Sequence, residues 1–226
     1  MITGDERMKM AIAGILAWMA LPCAASAQAP TPAPAQAPGK GYVEVVAQSA
    51  FGNVTSQSFG GEFGITVLPG VQLFVEAGQV NNVATAEIGA AAAKIAGYLS
   101  QTQANVGYTV KEPATFGAAG VKLNIPVSGR LQPYIMAGGG VAKVKQDVRF
   151  SVGGTDVTSN LTPYNVVLGT DLSGTFTKPM AVVGIGVMWP AWQRLVLDFQ
   201  YRYGRIFADG QAINVSRAGL GFGVRF

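Results

Sequence analysis

The last eleven residues, 216–226, read S-R-A-G-L-G-F-G-V-R-F and alternate between two kinds of side chain. Counting back from the C-terminus, one face of an extended strand carries only apolar side chains: Phe226, Val224, Phe222, Leu220 and Ala218. The other face carries two arginines and three glycines: Arg225, Gly223, Gly221, Gly219 and Arg217. One face therefore suits hydrocarbon, whereas the other suits water or ion pairs.

Seven further segments show comparable alternation between turn signals, and each is close to the about 9 to 11 residues of a tilted strand that crosses a membrane. The eight predicted strands are residues 42–51, 58–67, 71–80, 115–125, 131–142, 180–189, 195–205 and 213–226. Short turns containing Pro or Gly, at 68–70, 126–130 and 190–194, alternate with longer connections, of which 81–114 and 143–179 are the longest. We therefore predict an all-β fold, an eight-stranded antiparallel up-and-down transmembrane β-barrel.

The composition favours the same class. The 226 residues include 30 glycines, and 49% are hydrophobic while 12% are charged, against about 25–35% charged residues on a typical soluble surface. After the first 27 residues, no stretch approaches the roughly 20 consecutive apolar residues of a membrane-spanning helix. A barrel is the other structure that pairs every backbone polar group inside lipid. Within the connection 81–114, helical spacing over 84–100 predicts a short helix, either on the membrane surface or packed on the barrel rim.

The N-terminus has the pattern of an export signal. Arg7 and Lys9 precede an apolar run, and Ala25 and Ala27 supply the small residues that signal peptidase requires. We therefore predict a cleaved signal peptide over 1–27.

A Pro/Ala-rich periplasmic lead-in should follow at 28–40, before the barrel domain at 41–226. Cys23 is the only cysteine, and lipid modification at this residue is the rival interpretation of the N-terminus. Cleavage after Ala27 would leave a mature chain without a thiol.

Charged residues lie on the strand faces opposite the apolar ones, so this register directs them into the barrel lumen. Because buried charges must be paired and hydrogen-bonded, we predict an ion-pair network formed by Glu44, Glu62, Glu76, Lys122, Asp198, Arg202, Arg217 and Arg225. Glu44 and Arg225 should lie near the bottom, where the first and last strands meet. The network is either a plug that fills space or a gate whose pairs exchange. The phase of the fifth predicted strand stays open.

Several segments resemble the outer-membrane β-barrel domain family that includes OmpA- and OmpX-like proteins. They are R-L-Q-P-Y-I-M-A-G-G-G-V-A at 130–142, K-P-M-A-V-V-G-I-G-V at 178–187, L-D-F-Q-Y-R-Y at 197–203 and the terminal G-L-G-F-G-V-R-F. The resemblance spans 41–226 and implies an outer-membrane location in a Gram-negative bacterium. It also implies that Phe222, Val224 and Phe226 form a C-terminal signal that the barrel-assembly machinery reads, with periplasmic chaperones as further partners.

Enzymes among barrels of this size use a histidine, whereas this chain has none. We therefore expect no catalytic activity, no cofactor and no metal site, and the absence of a basic cluster interleaved with aromatics argues against nucleic acid. The formal charge of +4 favours anionic headgroups or lipopolysaccharide among the outer-membrane lipids.

We expect a monomeric outer-membrane protein with a structural or surface-interaction role through its long extracellular loops and a lumen plugged by ion pairs. The alternatives are a small passive pore or ligand-binding barrel and, third, a soluble secreted barrel of lipocalin type. The sequence does not identify an extracellular ligand.

Overall fold

The computed structural model describes residues 40–169 and 172–226. The predicted signal peptide, its cleavage residues Ala25 and Ala27, and most of the lead-in lie outside the described residues. Within the described residues, no helix is long and apolar enough to cross a membrane.

The described part of the chain contains ten strands, one α-helix and a short 3-10 turn at Thr162–Tyr164. The elements are β1 (Gly41–Phe51), β2 (Ser56–Leu68), β3 (Val71–Val80), α1 (Ala86–Leu99), β4 (Val106–Lys111), β5 (Ala114–Asn124), β6 (Gln132–Val152), β7 (Thr155–Asp156), β8 (Ser173–Pro190), β9 (Leu195–Ile206) and β10 (Ile213–Arg225).

Eight strands form a closed antiparallel barrel in the order β1, β2, β3, β5, β6, β8, β9, β10, and β10 pairs back onto β1. The predicted all-β class and eight-stranded barrel are confirmed. Short connections lie at one end, the turn end, where Gly70 has a φ of 79° that favours glycine. The longer connections lie at the other end, the loop end.

The barrel is apolar outside and charged inside. Val45, Val75 and Phe222 point outward and are 66, 56 and 53% exposed, whereas Lys122 and Arg202 are 0 and 1% exposed. An outward face of this kind suits lipid. The sequence left the phase of the fifth barrel strand open, and the structure places Tyr134, Met136 and Ala142 of β6 on the lumen side.

About half of the predicted connection 143–179 is strand, which corrects the sequence-based boundaries. β6 has 21 residues and β8 has 18, and the two pair from Gln132↔Met188 to Asp147↔Ser173. β4 pairs with the end of β6 from Lys111↔Asp147 to Val106↔Val152. We call β4, residues 143–152 of β6 and residues 173–179 of β8 the loop-end extension.

The predicted helix over 84–100 corresponds to α1. It begins after Thr85, whose side chain accepts a hydrogen bond from the Ile88 amide, and ends at Ser100. Its buried residues pack with Val148 and Phe150, which share the face of β6 that lines the lumen further down. The helix therefore packs on the inner face of the loop-end extension rather than lying on the membrane surface.

Candidate functional site

Three carboxylates form one row across neighbouring strands on the lumen face. Glu44 of β1 is the register partner of Glu62 of β2, which is in turn the partner of Glu76 of β3. All three side chains are buried. Like charges on adjacent strands destabilise a sheet unless cations face them.

The facing cations are Lys122 of β5, Arg202 of β9 and Arg217 of β10. The Nζ of Lys122 is 2.6 Å from an oxygen of Glu62, and the Nη2 of Arg202 is 2.6 Å from the other. Arg202 also donates to Glu76, whose second oxygen is 3.3 Å from the Nη2 of Arg217. Arg202 crosses the lumen from β9, whereas Lys122 and Arg217 reach the row of carboxylates from the strands that flank it, β5 and β10.

Two tyrosines enclose the ammonium group of Lys122. Its Nζ lies 4.7 Å from the ring centroid of Tyr42 and 4.2 Å from that of Tyr134, close enough for cation–π attraction. The Tyr42 hydroxyl donates to Glu62, and the Tyr134 hydroxyl donates to Asp198 across 2.7 Å. Asp198 is also 4.0 Å from Lys122. The tyrosines thus both surround the cation and hold two of its carboxylate partners.

Glycines on neighbouring strands make room for these rings. A Cβ atom added at Gly64 would lie 2.2 Å from the Tyr42 ring, and one at Gly186 would lie 2.4 Å from the Tyr134 ring. Real side chains do not approach so closely, so any other residue would displace the tyrosine. The glycines therefore serve packing in the lumen.

The structure brings together seven of the eight residues that the sequence places in the network. Glu44 does not lie with Arg225, as the sequence suggested, but in the row with Glu62, with Oε1 3.9 Å from the Nη2 of Arg202. Arg225 ends β10 at the turn end beside Tyr42. Among the residues described by the structure, no carboxylate pairs with it, because the acidic side chains lie further along the strands.

A second, apolar layer fills the lumen between the ion pairs and the loop end. It is formed by small and medium apolar side chains on the lumen face, including Val80, Ala114, Phe116, Ala142, Val144, Met180, Ile206, Ile213 and Val215. All of these except Val144 and Ile213 line a cavity of about 20 Å³, which is room for about one water molecule. The guanidinium of Arg217 lies 4.3 Å from the Phe116 ring centroid, where the two layers meet.

The sequence did not predict this apolar layer. Charges and glycines marked the lumen faces in the sequence, whereas these residues lie at the loop ends of strands where no charge marks the face. The signal in the sequence was their spacing from the charged residues: Val80 follows Glu76, and Ile206 follows Arg202, by an even number of residues, which places each on the lumen face.

A further apolar core lies beyond the barrel, in the loop-end extension. α1 contributes Ile88, Ala92, Ala96 and Leu99, which are buried together with Val148, Phe150, Leu161 and Leu172. This core lies on the inner face of the extension. The helix therefore covers the side of the extension that faces the barrel axis and leaves the outward face free.

Glu112, between β4 and β5, joins α1 to the extension. Its Oε2 accepts a hydrogen bond from the Thr85 amide at 3.0 Å, and its own amide donates to Oδ1 of Asn82 at 2.9 Å. The same Asn82 oxygen accepts from the amide of Ala84. Burial raises the pKa of the Glu112 carboxyl, because desolvation outweighs the hydrogen bonds it accepts.

The loop-end extension has two free strand edges. Among the described residues, β4 pairs with β6 alone, and the Ser173–Pro179 part of β8 pairs with β6 but not with β9, whose pairing begins at Met180. Apart from the Pro179 carbonyl, which accepts from the Phe207 amide, the backbone groups along these edges lack a strand partner. Such edges are templates for adding another strand.

A closed antiparallel barrel with an apolar exterior and an ionised interior is an integral membrane β-barrel. The chain belongs to the family described as outer membrane protein beta-barrel domain, whose model matches residues 15–226. Membership of this family places the protein in the outer membrane. No curated protein matches the sequence.

Solved structures share the fold at low sequence identity. Neisserial surface protein A (NspA) is similar at 13% identity and a TM-score of 0.51, covering 82% of this chain and 96% of that one. A major outer membrane protein from Thermus thermophilus is similar at 9% identity and a TM-score of 0.50, covering 82% and 99%. The outer membrane enzyme PagL, at 10% identity and a TM-score of 0.41, covers 82% and 99%. Likeness at this level of identity concerns the fold alone, so function must be argued from the residues.

Proposed function

We propose that this protein is a non-conducting outer-membrane barrel that anchors a folded extracellular extension for surface interactions. The observation that carries the proposal is the filled lumen, in which an ionic layer and an apolar layer lie in series. The lining residues of the upper layer leave a cavity of about 20 Å³. Such a barrel serves as an anchor rather than as a passage.

The two layers oppose ion flow by different physical effects. In the ionic layer, Lys122, Arg202 and Arg217 are already paired with carboxylates, so a passing ion must displace a buried pair. In the apolar layer, an ion would lose hydration without gaining a polar partner. Exchange of ion pairs alone therefore does not open a continuous wet path.

The loop-end extension supports the surface role. With the turns on the periplasmic side, as in outer-membrane barrels, the extension stands outside the cell. Its apolar core gives it a fixed shape, and its free edges on β4 and β8 offer backbone hydrogen bonds to an external polypeptide. We assign no catalytic role, because the chain has no histidine and its lumen carboxylates face cations.

Export and assembly belong to the same proposal. The signal peptide over 1–27 directs the chain out of the cytoplasm, and 28–40 becomes a periplasmic lead-in to the barrel. Phe222, Val224 and Phe226 are exposed on the outward face of the last strand, where the assembly machinery can read them. The mature protein then functions as a monomer among phospholipids and lipopolysaccharide.

The second candidate function is a small pore gated by the ion pairs. It is favoured by Arg202, which contacts both Glu62 and Glu76 and so has two partners between which to shift. Conductance across planar bilayers distinguishes the two candidates. For the closed barrel we expect no regular current steps at any voltage, and discrete voltage-independent steps from the folded protein would contradict the closed barrel and favour the pore.

The surface role has its own test. Cells that display the parent protein are compared with cells that carry the variant Thr175→Pro, in which an edge residue of β8 loses its amide hydrogen. We expect weaker adhesion to host or neighbouring-cell surfaces with equal amounts of folded protein in the membrane. If cells that display the parent protein adhere no better than cells that lack the protein, the surface role is refuted.

A further inference from the structure

The outward face of β6 changes from apolar to cationic at one position. Its outward residues are apolar from Pro133 to Val141, and the next two are Lys143 and Lys145. At about 3.3 Å per residue and a tilt of about 40°, Pro133 to Val141 covers roughly 20 Å of an apolar band about 25 Å tall. Lys143 is therefore the first outward side chain of β6 in the headgroup layer at the loop end.

Further charges lie on the same outward face. Lys111 of β4 is the register partner of Asp147, and Arg149 follows two residues later on β6. Arg149 Nε is 3.0 Å from Asp147, so these two charges largely cancel. The hydrogen bond from Arg149, and then the positive charges of Lys145 and Lys111, lower the pKa of Asp147. Asp156 of β7, the register partner of Ser151, adds a second exposed carboxylate to this face. With Lys143, the face has four cations and two carboxylates, so two positive charges are left in excess.

Threonine hydroxyls flank the two lysines. Lys143 has Thr115 of β5 as its register partner on one side and Thr177 of β8 on the other. Thr175 of β8 is the partner of Lys145. All of these side chains are exposed. The arrangement gives two ammonium groups, roughly 7 Å apart along the strand, with hydroxyl donors beside them, which is a donor set suited to phosphate.

The opposite wall of the barrel lacks such a set. The outward positions of β1, β2 and β3 near the loop end carry Phe51, Gln57, Phe59 and Gln79, and along these three described strands no outward residue is Lys or Arg. A general preference for anionic lipid would spread cations around the rim. Near the loop end the outward cations of the described strands lie only on the side of the barrel formed by β4, β6 and β9, where Arg205 is also exposed. Their restriction to this side indicates a localised ligand.

We propose that the outward face of β4 and β6 binds the phosphate groups of a phosphorylated glycolipid in the outer leaflet, with Lys143, Lys145 and Lys111 as the cations. The inference rests on the proposed extracellular position of the loop-end extension. α1 occupies the inner face of the extension, so the outward face is free to meet the lipid. Acyl chains of the bound lipid lie along the apolar band, with Val141 directly below Lys143.

The test uses the full mature protein in nanodiscs and titrates bisphosphorylated lipid A as the probe. Lys143→Gln and Lys145→Gln are combined in one variant. The matched control, Arg130→Gln with Arg194→Gln, removes two exposed cations at the turn end. At about 1 kcal/mol for each lysine near an anionic surface, we expect roughly 30-fold weaker binding for the lysine variant. The arginine control should bind as the parent does.

Lipid chemistry provides the second arm of the test. Dephosphorylated lipid A should bind the parent as weakly as lipid A binds the lysine variant. Three results would overturn the proposal. They are equal affinity of the parent and the lysine variant for lipid A, an equal loss of affinity in the arginine control, and undiminished affinity of the parent for dephosphorylated lipid A. Phosphatidylglycerol that binds as tightly, with the same dependence on the lysines, would overturn the assignment to a glycolipid. Conductance measured on the same samples shows independently whether the barrel is closed.

Discussion

Lys122 is a buried cation whose removal should strongly destabilise the barrel. The variant Lys122→Met keeps a chain of similar length between Tyr42 and Tyr134 but removes the charge. It takes from Glu62 a partner at 2.6 Å and leaves Asp198 without the cation at 4.0 Å. Breaking a buried ion pair by removing one partner costs about 3–5 kcal/mol. This range includes the loss of the cation–π contacts with the two tyrosines. We expect the free energy of unfolding to fall by about that amount.

The assay is reversible urea unfolding of the protein in lipid vesicles, followed by tryptophan fluorescence and by heat-modifiable migration on gels. The control is Lys94→Met, because Lys94 is exposed on α1, and its loss should change stability by less than about 0.5 kcal/mol. Adding Asp198→Asn to Lys122→Met should recover part of the loss, since Asp198 is the carboxylate that this variant leaves without a cation, whereas Glu62 keeps Arg202. A Lys122→Met variant within about 1 kcal/mol of the parent would refute the reasoning that this cation neutralises the lumen.

Three further predictions follow from the lumen and the loop-end extension. Gly64→Ala should destabilise the barrel by about 1–3 kcal/mol, because the added methyl group overlaps the Tyr42 ring. The control Gly97→Ala on α1, where the space is open, should not destabilise it. Equal unfolding midpoints of the two variants in urea would contradict this prediction. The double variant Glu62→Ala, Glu76→Ala should stay at baseline conductance, because the apolar layer remains; current steps would show that the ion pairs are the sole barrier. Glu112 binds a proton more readily in the folded state, so local stability should fall as pH rises from about 4.5 through its raised pKa. Hydrogen exchange of α1 amides, corrected for the intrinsic pH effect, should show this loss in the parent and not in Glu112→Gln, and an increase in protection with pH would contradict it.

The barrel strands and their faces could be predicted from the sequence because lipid imposes a strict alternation. A register slip would place Lys122, Arg202 or Arg217 in hydrocarbon at a cost of about 2–4 kcal/mol each near the midplane. That penalty leaves one orientation for the strands that carry these charges. The tilt of the strands then fixes the length of each alternating segment, so the boundaries of β1, β3 and β9 agree closely with those predicted.

The loop-end extension could not be predicted by the same rule, because lipid no longer acts there. Residues 143–150 continue to alternate, but the outward side chains are charged, and a strand defined by a hydrophobic outer face ends at Ala142. Pro179 lies at the end of the predicted connection 143–179, yet it is tolerated within β8 at the position where pairing with β9 stops. The position of Arg225 outside the ion pairs depends on how far each charge lies along its strand, which alternation alone does not determine.

The strands that build the extension all lie away from the junction of β1 and β10. Going around the wall, β6 is on the far side from that junction, and β5 and β8 flank it. β1 and β10 can therefore pair during insertion while the loop-end extension is already folded on the opposite side of the barrel. Barrel closure and surface exposure thus depend on different parts of this molecule. A substitution that slows the pairing of β1 with β10 need not alter the loop-end extension at the cell surface.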